Sequence, residues 1–573
     1  MKRTPLALVA PLICSAFLPA ASTARASAPD LRLADVFDHH MVLQRNQPVK
    51  IWGWAGAKEK VTVSFGENTQ SVTADADGSW LLELPPMPAN AEGRELTAGS
   101  GSEEVTIKDV LVGDVWILSG QSNIQMPLWI RPDGVEKAER RLVIGTDHDW
   151  LRIMTMPHRA TPEVQDGFPK DEEGGDESGL WSASKSKDHT TSEFSALGYH
   201  FGVKLHEEIG VPVGLVDASW GGTVSSTWCS RERLEKIPKA GALLEKLDAE
   251  LADWDNADQG EGDTDRRTAD RGLPTGNFNG MIMPLRHLTI RGVFFYQGEN
   301  NMFGQTIFKA TYRGVVDSFR DAFGRKDLPF CIIQCASAGK EYAVHKFGKL
   351  TYIQEVQKKI HLSTDNTGFV VTTDHTHSDL QPMLKRPIAE RMVRWALADV
   401  YGRKDVTSGD AVVTGTERKG DTLLVQFRTP GGETLKMNPV PTGWALTTDG
   451  KSIEHVTDAE NGNIPVEDTP SGFAIAGKDL EFVGAQAEVI DGKTVKVWAE
   501  SVPEPFAVRY ACSRGFHRLY TESGLPVGPF RTNNFDFISY MLQEQKAFEA
   551  RQAAREAARE KAREAEKEAA GKD

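Results

Sequence analysis

The sequence predicts an α/β protein in which a central parallel sheet is flanked by an N-terminal β-sandwich-like domain and a C-terminal β region. Between residues 109 and 402, continuous apolar runs alternate with segments of helical periodicity. Continuous apolar runs are typical of strands that a parallel sheet buries on both faces, and their alternation with helices indicates an open α/β/α sheet. Outside this segment, short strands of alternating polarity predict all-β structure.

The elements of the central segment follow from the spacing of its apolar residues. The five predicted strands have the sequences VLVGDVWILS, VPVGLVDAS, RGVFFYQ, LPFCIIQCA and GFVVTT. Three helices are predicted because apolar side chains recur at every fourth position, on one helix face. They are Leu197, Phe201 and Leu205, ending at Gly210; Val315, Phe319 and Phe323, ending at Gly324; and Tyr352, Val356 and Ile360.

The flanking regions are predicted from shorter strands. In residues 27–108 the strands are VKIWGWAG, KVTVSFG and SWLLELPP, and Asp77-Gly78 is a hairpin turn signal between two of them. In residues 403–535 the segments LLVQF, AEVIDGKTVKVWA and FAVRYAC predict a second β region. Residues 536–573 are rich in Ala, Glu and Arg, which predicts a charged, solvent-exposed helical tail.

The first 26 residues have the three parts of an export signal. Lys2 and Arg3 supply positive charge, an apolar stretch follows, and Ala24-Arg25-Ala26 is a small-residue cleavage site. We therefore expect a signal peptide at 1–26 and a mature protein that is secreted or periplasmic. The remaining predicted domains are the N-terminal β domain at 27–108, the α/β domain at 109–402, the C-terminal β region at 403–535 and the tail at 536–573.

The charge of the chain argues against nucleic acid and anionic membranes as partners. Of its 573 residues, 66 are Lys or Arg and 81 are Asp or Glu, which gives a formal net charge of -15. A chain this acidic gains no free energy from the release of counterions from nucleic acid. An anionic lipid surface would repel the chain because both carry negative charge.

Polar residues follow four of the predicted strands, and we expect them to form an active site. The carboxyl ends of parallel strands meet at one edge of an open sheet, where ligands bind. The four segments are GQSN at 120–123, WGGT at 220–223, QGENN at 297–301 and DHTHSD at 374–379.

The residue types in these segments suit acyl transfer. Ser122 stands at a Gly-containing strand–helix turn of the kind that exposes a nucleophile. A Gly-Gly pair and Gln297 at neighbouring strand ends can supply donors to an oxyanion. The fourth segment contains imidazoles and carboxylates for a general base and the group that orients it.

Simpler interpretations of the same residues remain open. Ser122 can be a helix cap, and Gln297 and Glu299 can be buried polar groups with a structural role. His375 and His377 alternate with a threonine, a pattern that also occurs in pairs of metal ligands.

Seven segments of the chain together carry a family resemblance, in order from about residue 30 to residue 535. They are HMVLQRNQPVKIWGWA, DVLVGDVWILSGQSN, VPVGLVDASWGGT, FNGMIMPL, RGVFFYQGENN, KRPIAERMVRWAL and LYTESGLPVGPFRTNNF. These segments resemble one enzyme family, the sialate O-acetylesterases, a branch of the SGNH hydrolases. The resemblance implies an SGNH-like α/β domain that removes acetyl groups from glycan hydroxyls without a metal or other cofactor.

The resemblance also implies roles for individual residues. Ser122 would be the nucleophile, and Gly222, together with the backbone amide of Ser122, would form the oxyanion hole. Gln297 would help to line that hole and the acyl pocket, and Glu299 belongs to the same block of substrate-binding residues.

The sequence departs from the family pattern at the general base. The family motif Asp-Ile-His-Pro corresponds here to DLQP at 379–382, so Gln381 replaces the histidine. An amide does not titrate near neutral pH and cannot accept the serine proton. Asp374 and His377 have the Asp-x-x-His spacing of other SGNH hydrolases, so we expect His377 to be the base and Asp374 its partner. His375 and Asp379 are the alternatives.

Three hypotheses of function follow. The first is a secreted carbohydrate O-acetylesterase that releases acetate from sialic acid or from a plant, algal or host glycan through a serine acyl-enzyme. The second is a catalytically impaired carbohydrate-binding relative on the same scaffold, because Gln381 has replaced the motif histidine. The third is a metal-dependent hydrolase that uses His375, His377 and an aspartate.

Overall fold

The computed structural model describes most of the chain between residues 31 and 539. The predicted signal peptide, residues 375–380 and all but the first few residues of the predicted tail lie outside the described part. The described residues are 31–129, 146–167, 180–186, 188–256, 270–337, 347–374, 381–382, 385–438, 442–446, 453–457, 471–512, 518–534 and 536–539.

The strands of the N-terminal half are β1 (Arg32–Leu33), β2 (Val42–Gln44), β3 (Val49–Trp54), β4 (Lys60–Phe65), β5 (Asn68–Thr73), β6 (Ser79–Leu84), β7 (Asn90–Ser100), β8 (Glu103–Gly120), β9 (His148–Thr155), β10 (Trp181–Ser184), β11 (Val213–Ser219), β12 (Gly292–Tyr296), β13 (Phe330–Ile333) and β14 (Thr367–Val370). The C-terminal strands are β15 (Val412–Lys419), β16 (Thr422–Arg428), β17 (Leu435–Met437), β18 (Thr442–Leu446), β19 (Ile453–Thr457), β20 (Phe473–Ala476), β21 (Val483–Gly484), β22 (Gln486–Val489), β23 (Thr494–Trp498), β24 (Ala507–Tyr510), β25 (Leu519–Thr521) and β26 (Phe530–Arg531).

The helices include the three that were predicted. The α-helices are α1 (Ser122–Gln125), α2 (His189–Glu193), α3 (Ala196–Ile209), α4 (Arg231–Glu235), α5 (Gly241–Asn256), α6 (Gln305–Ala322), α7 (Lys349–Leu362) and α8 (Arg386–Trp395). Short 3₁₀ or π segments lie at Ser225–Trp228, Phe278–Ile282, Met283–Leu285, Glu299–Phe303, Ala396–Val400 and Pro430–Gly432.

The predicted strands pair in parallel, as expected from their continuous apolar sequences. The order across the central sheet is β10-β9-β11-β8-β12-β13-β14. Strands β11 and β12 both pair in parallel with β8, and β13 and β14 continue the parallel pairing on the β12 side. The sheet is nevertheless mixed, because β10 pairs antiparallel with β9 at one edge. The sequence patterns did not predict these two strands.

Helices cover both faces of this sheet. Side chains of a strand alternate between faces, and Val115 and Ile117 of β8 share one hydrophobic core with residues of α6 and α7, such as Phe319 and Val356. Trp116 and Leu118 point to the opposite face, into a second core with α3 and α8. The central domain is therefore a three-layer α/β/α structure, as predicted.

Strand β8 connects the N-terminal β structure to the central sheet. Its first half pairs antiparallel with β7 and its second half pairs in parallel with β11 and β12. Asp109 lies between these halves with a positive φ of 57°. Its carboxylate lies 2.7 Å from His40 Nδ1 and accepts a 2.6 Å hydrogen bond from Arg152 Nη1. The predicted domain boundary between residues 108 and 109 thus falls within one continuous strand.

A buried carboxylate fixes β8 relative to its surroundings. Asp114 accepts hydrogen bonds from the guanidinium groups of Arg45 and Arg291 at 2.8 Å, from Gln44 Nε2 at 2.8 Å and from the Tyr401 hydroxyl at 2.8 Å. Burial alone raises the pKa of Asp114, but the hydrogen bond from Arg45 and the charges of both arginines outweigh it and hold the pKa below its ordinary value.

The hairpin predicted at Asp77-Gly78 is wrong. The turn has the expected local chemistry, because Asp77 Oδ1 accepts hydrogen bonds from the backbone N–H of Ser79 at 3.0 Å and from its hydroxyl at 2.7 Å. However, β5 before the turn pairs with β4, whereas β6 after it pairs with β3 in a different sheet. The turn therefore joins two sheets, which is a choice that local sequence does not encode.

The C-terminal β region has its own core. Two four-stranded sheets have the orders β15-β16-β23-β22 and β21-β20-β24-β26. Val425 and Val495 of the first sheet share a buried cluster with Ile475, Val508 and Tyr510 of the second. Among the helices that the structure describes, none is both long enough and apolar enough to cross a membrane.

Candidate active site

Three of the four predicted polar segments meet at the carboxyl edge of the central sheet. Gly120, the last residue of β8, pairs with Ser219 at the end of β11 and with Tyr296 at the end of β12. The segments at 120–123, 220–223 and 297–301 therefore begin at adjacent positions. This is the arrangement expected from their places after parallel strands.

The turn that carries Ser122 requires glycine at its first position. Gly120 has a φ of +125°, and a Cβ there would lie only 2.2 Å from the carbonyl oxygen of Tyr296. The next backbone N–H, that of Gln121, donates to the same carbonyl at 3.0 Å. Helix α1 begins at Ser122, with Gln121 as its N-cap and without a capping side-chain hydrogen bond. The interpretation of Ser122 as a helix cap is therefore wrong.

The WGGT segment lies directly against this turn. The backbone N–H of Trp220 donates to the carbonyl of Gly120 at 3.0 Å, and that of Gly221 donates to Gln125 Oε1 at 2.7 Å. A Cβ on Gly221 would lie 3.4 Å from the Cβ of Ser122. Gly222 follows with a φ of +80°, which favours glycine.

Two backbone amides at this point, those of Ser122 and Gly222, have no hydrogen-bond partner among the described residues. Asn300 Nδ2 donates to the carbonyl of Gly222. The amides of Ser122 and Gly222 are the two that the family resemblance implies for the oxyanion hole.

Gln297 connects the strand end to the loop after Gly222. Its Nε2 donates to the carbonyl of Thr223 at 2.8 Å and to Asn301 Oδ1 at 3.3 Å, and its Oε1 accepts from the Thr223 hydroxyl at 3.3 Å. The side chain is fully buried. These contacts match the structural interpretation of Gln297, whereas its contribution to the oxyanion hole stays a prediction.

Glu299 is buried behind the nucleophile turn. It accepts hydrogen bonds from Gln121 Nε2 and, at 2.6 Å, from Asn123 Nδ2. The other end of the Asn123 amide, Oδ1, accepts a 3.0 Å hydrogen bond from Lys385 Nζ. Burial raises the pKa of Glu299 above its ordinary value, against the hydrogen bonds from Asn123 and Gln121, which lower it.

The region of the predicted general base is only partly described. His375, His377 and Asp379 lie outside the described residues. Asp374 is buried, and its two carboxylate oxygens accept hydrogen bonds from the guanidinium of Arg391 at 2.7 and 2.6 Å. The Tyr520 hydroxyl donates to it at 3.4 Å. The pairing of Asp374 with His377 stays a prediction, and Gln381 is half-buried.

Two residues near Ser122 were not identified from the sequence. The His158 ring stacks on Trp220 with centroids 4.8 Å apart, and its Nε2 lies 3.0 Å from the carbonyl of Ser219. Arg271 is exposed and its Nη1 donates to the carbonyl of Gly221 at 3.1 Å. Neither follows a predicted strand, so no sequence signal pointed to them.

Lys385 was also missed, although one signal was present. It is the first residue of KRPIAERMVRWAL, a segment that contributes to the family resemblance. Its contact with Asn123 joins residues 262 positions apart in the sequence.

The described residues contain no group of three or more His, Cys, Asp or Glu side chains arranged to hold a metal ion. The pair that the metal hypothesis invokes, His375 and His377, lies outside them.

Three comparisons with known proteins agree in type. Residues 112–394 match the model of a family described as carbohydrate esterase, sialic acid-specific acetylesterase. The chain is 28% identical over 436 residues to a sialate O-acetylesterase of Homo sapiens, covering 70% of this chain and 76% of that protein. The corresponding values for the Mus musculus protein are 27% over 424 residues, 68% and 76%. A carbohydrate acetylesterase from Xanthomonas citri has a similar structure, with a TM-score of 0.69, 27% identity, and coverage of 88% of this chain and 100% of that one.

The site contains a buried acid that predicts a pH dependence of stability. Asp217 is fully buried on β11 and accepts a hydrogen bond from the Ser219 hydroxyl. Burial raises its pKa to about 7. The folded state therefore keeps a proton that the unfolded state loses near pH 4, so stability falls as the pH rises from about 4 to 7.

We expect Asp217→Asn to remove this dependence. Relative to wild type, the variant should gain stability between pH 5 and 8, by about 1.4 kcal/mol for each unit of the pKa difference. Urea unfolding at several pH values measures the effect, with Asp405→Asn, an exposed aspartate paired with Arg403, as the control. A constant difference between Asp217→Asn and wild type across this range would contradict the assignment.

Proposed function

We propose that the protein, whose residues 112–394 match the model of the sialic acid-specific carbohydrate acetylesterase family, is a secreted carbohydrate O-acetylesterase that works through a serine acyl-enzyme. Its relatives act on esters, so hydrolysis of an acetyl ester is the reaction expected of this fold. The observation that carries the proposal is the position of Ser122 beside two backbone amides, its own and that of Gly222, that have no partner in the described residues.

The reaction proceeds in two steps. Ser122 Oγ attacks the acetyl carbonyl, and the negative charge on the carbonyl oxygen is stabilised by the amides of Ser122 and Gly222. His377 takes the serine proton and returns it to the sugar oxygen as the deacetylated sugar leaves. A water molecule, deprotonated by the same imidazole, then attacks the acetyl-serine and releases acetate.

The remaining predicted residues support these steps. Gln297 holds the loop that carries Gly222 through its bonds to Thr223 and Asn301. Asp374 orients the His377 imidazole while Arg391 holds its carboxylate. The export signal predicted at residues 1–26 supports the secretion of the proposed enzyme.

A second function is favoured by one observation, the replacement of the motif histidine by Gln381. In this alternative the protein binds acetylated sugars without turning them over.

The substrate class is suggested by Arg271. Its exposed guanidinium contacts Gly221 and lies 2.9 Å from the position of a Cβ on Gly222, next to the nucleophile turn. No carboxylate of the described residues forms an ion pair with it. A guanidinium matches a carboxylate in shape and charge, so we propose that the preferred substrate is an acetylated acidic sugar such as a sialic acid.

Replacement of Ser122 tests its proposed role as the nucleophile. Ser122→Ala should abolish release of acetate from an aryl acetate and from acetylated sugars, and leave only the roughly 10³–10⁴-fold acceleration that binding and the oxyanion hole provide. Circular dichroism should be unchanged, and Ser363→Ala, an exposed serine at the end of α7, should keep full activity. Retention of more than about a tenth of the wild-type rate would remove Ser122 from the role.

The second prediction separates the enzyme from the impaired relative. If His377 is the base, His377→Ala costs nearly as much activity as Ser122→Ala, since triad members act as a unit, while His375→Ala has a small effect and Gln381→His brings no gain. If the base is absent, wild type is nearly inert and only Gln381→His shows turnover, rising with a pKa near 6.5. The pH–rate profiles of these proteins distinguish the two cases.

The third prediction concerns the sugar. Arg271→Gln should lower kcat/KM for an O-acetylated sialic acid by about 10- to 100-fold, the loss of a charged hydrogen bond, and leave a neutral acetylated sugar and an aryl acetate unaffected. Arg403→Gln, on a half-buried arginine paired with Asp405, is the matched control. Equal losses on acidic and neutral sugars would contradict recognition of a carboxylate by Arg271.

A further inference from the structure

The two residues on either side of the nucleophile are bound by the same carboxylate. Gln121 precedes Ser122 and Asn123 follows it, and the amide of each donates to a different oxygen of Glu299. Glu299 itself begins the 3₁₀ segment after β12, on the neighbouring strand end. The carboxylate thus ties both flanks of the nucleophile to a second strand of the sheet.

Lys385 determines which way the Asn123 amide points. Its Nζ donates to Asn123 Oδ1 at 3.0 Å, so the Nδ2 end is directed to Glu299 Oε1. Asn123 and Lys385 are fully buried and Glu299 is 4% exposed. The Asn123 amide therefore hydrogen-bonds an acidic group at one end and a basic group at the other. Both bonds lie in the interior, where hydrogen bonds are strong and a polar group without a partner is destabilising.

A carboxylate satisfies this geometry without rearrangement. A carboxylate accepts hydrogen bonds at both oxygens, whereas a glutamine in its place accepts at one end and donates at the other. With glutamine at residue 299, the Gln121 amide would have to turn over so that its oxygen accepts, and the interior would lose the negative charge that faces Lys385 through Asn123.

We propose that Glu299, oriented through Asn123 and Lys385, is the positioning residue of the nucleophile turn. It holds residues 121–123 so that the hydroxyl and the backbone N–H of Ser122 face the same substrate carbonyl. This role rests on the proposed function, in which Ser122 is the nucleophile, and it replaces a substrate-binding role for Glu299. Small displacements of catalytic groups have large effects on rate, which gives such a clamp its importance.

The test is a reciprocal exchange. Glu299→Gln alone should slow the acylation of Ser122 by about 10²-fold, with little change of KM for the acetylated sugar, because the sugar contacts lie elsewhere. The double variant Gln121→Glu, Glu299→Gln restores one donor and one acceptor at each contact and keeps the net charge. It should recover most of the lost rate, which a simple loss of packing would not allow.

Two readouts separate the clamp from the proposed function. Capture of Ser122 by an organophosphate reports acylation without sugar binding. Hydrogen exchange of the peptide that contains residues 121–126 reports the order of the turn without any catalysis. Glu299→Gln should lose protection against hydrogen exchange in this peptide, and the double variant Gln121→Glu, Glu299→Gln should regain it.

The matched control is Asp410→Asn, which removes another buried carboxylate paired with a lysine. Asp410 lies 2.6 Å from Lys358 Nζ of α7 and accepts a hydrogen bond from the backbone of Gly528 in the C-terminal β region. This variant should lower stability but leave protection of the 121–126 peptide and the capture rate of the folded protein unchanged.

The outcomes are distinct. An inert wild type whose 121–126 peptide loses protection only in Glu299→Gln contradicts the esterase and supports the clamp. An active wild type with an unchanged capture rate and unchanged protection in Glu299→Gln overturns the clamp and leaves the esterase standing. A double variant no better than Glu299→Gln also overturns it.

Discussion

One strand, β8, determines where everything else in the central domain lies. Its 18 residues run from the N-terminal β structure into the middle of the parallel sheet and end at Gly120, two residues before Ser122. Register with β11 and β12 therefore sets the position of Ser122 relative to the segments after Ser219 and Tyr296. Asp114 maintains that register from the opposite end, since four side chains from three segments converge on its carboxylate. The carboxylate that fixes the sheet, Asp114, and the turn that carries Ser122 are therefore connected by the same strand.

The carboxyl edge of the sheet concentrates buried charge. Glu299 is bonded to both neighbours of Ser122, Asp374 is held by Arg391, and Asp217 is buried beneath the WGGT segment. Burying such groups is expensive unless hydrogen bonds satisfy them, and here each carboxylate has at least one donor. This free-energy cost falls at the edge where the glycine-rich loops meet. In the proposed function, the geometry of the turn at this edge matters for acyl transfer.

The proposed esterase and the proposed clamp depend on different parts of this edge. The proposed oxyanion hole consists of backbone amides of residues 122 and 222, beside the positive φ of Gly222 and the close approach of Gly120 to β12. The clamp is made of side chains and acts from behind the same turn. Arg271 and the His158–Trp220 stack stand on the open side, where a sugar would enter.

The sequence by itself determined five strands of the central sheet, its three predicted helices, the parallel pairing of the apolar runs and the three polar segments that meet at Gly120. These follow from local periodicity, because a strand buried on both faces and a helix buried on one face leave different repeats. Tertiary structure alone decided that Asp77-Gly78 joins two sheets, that β9 and β10 extend the edge, and that Arg391 holds Asp374. It also brought Lys385 to Asn123 across the chain. These contacts join segments that are far apart in the sequence. Local periodicity does not predict them, because it depends only on residues that are close together in the chain.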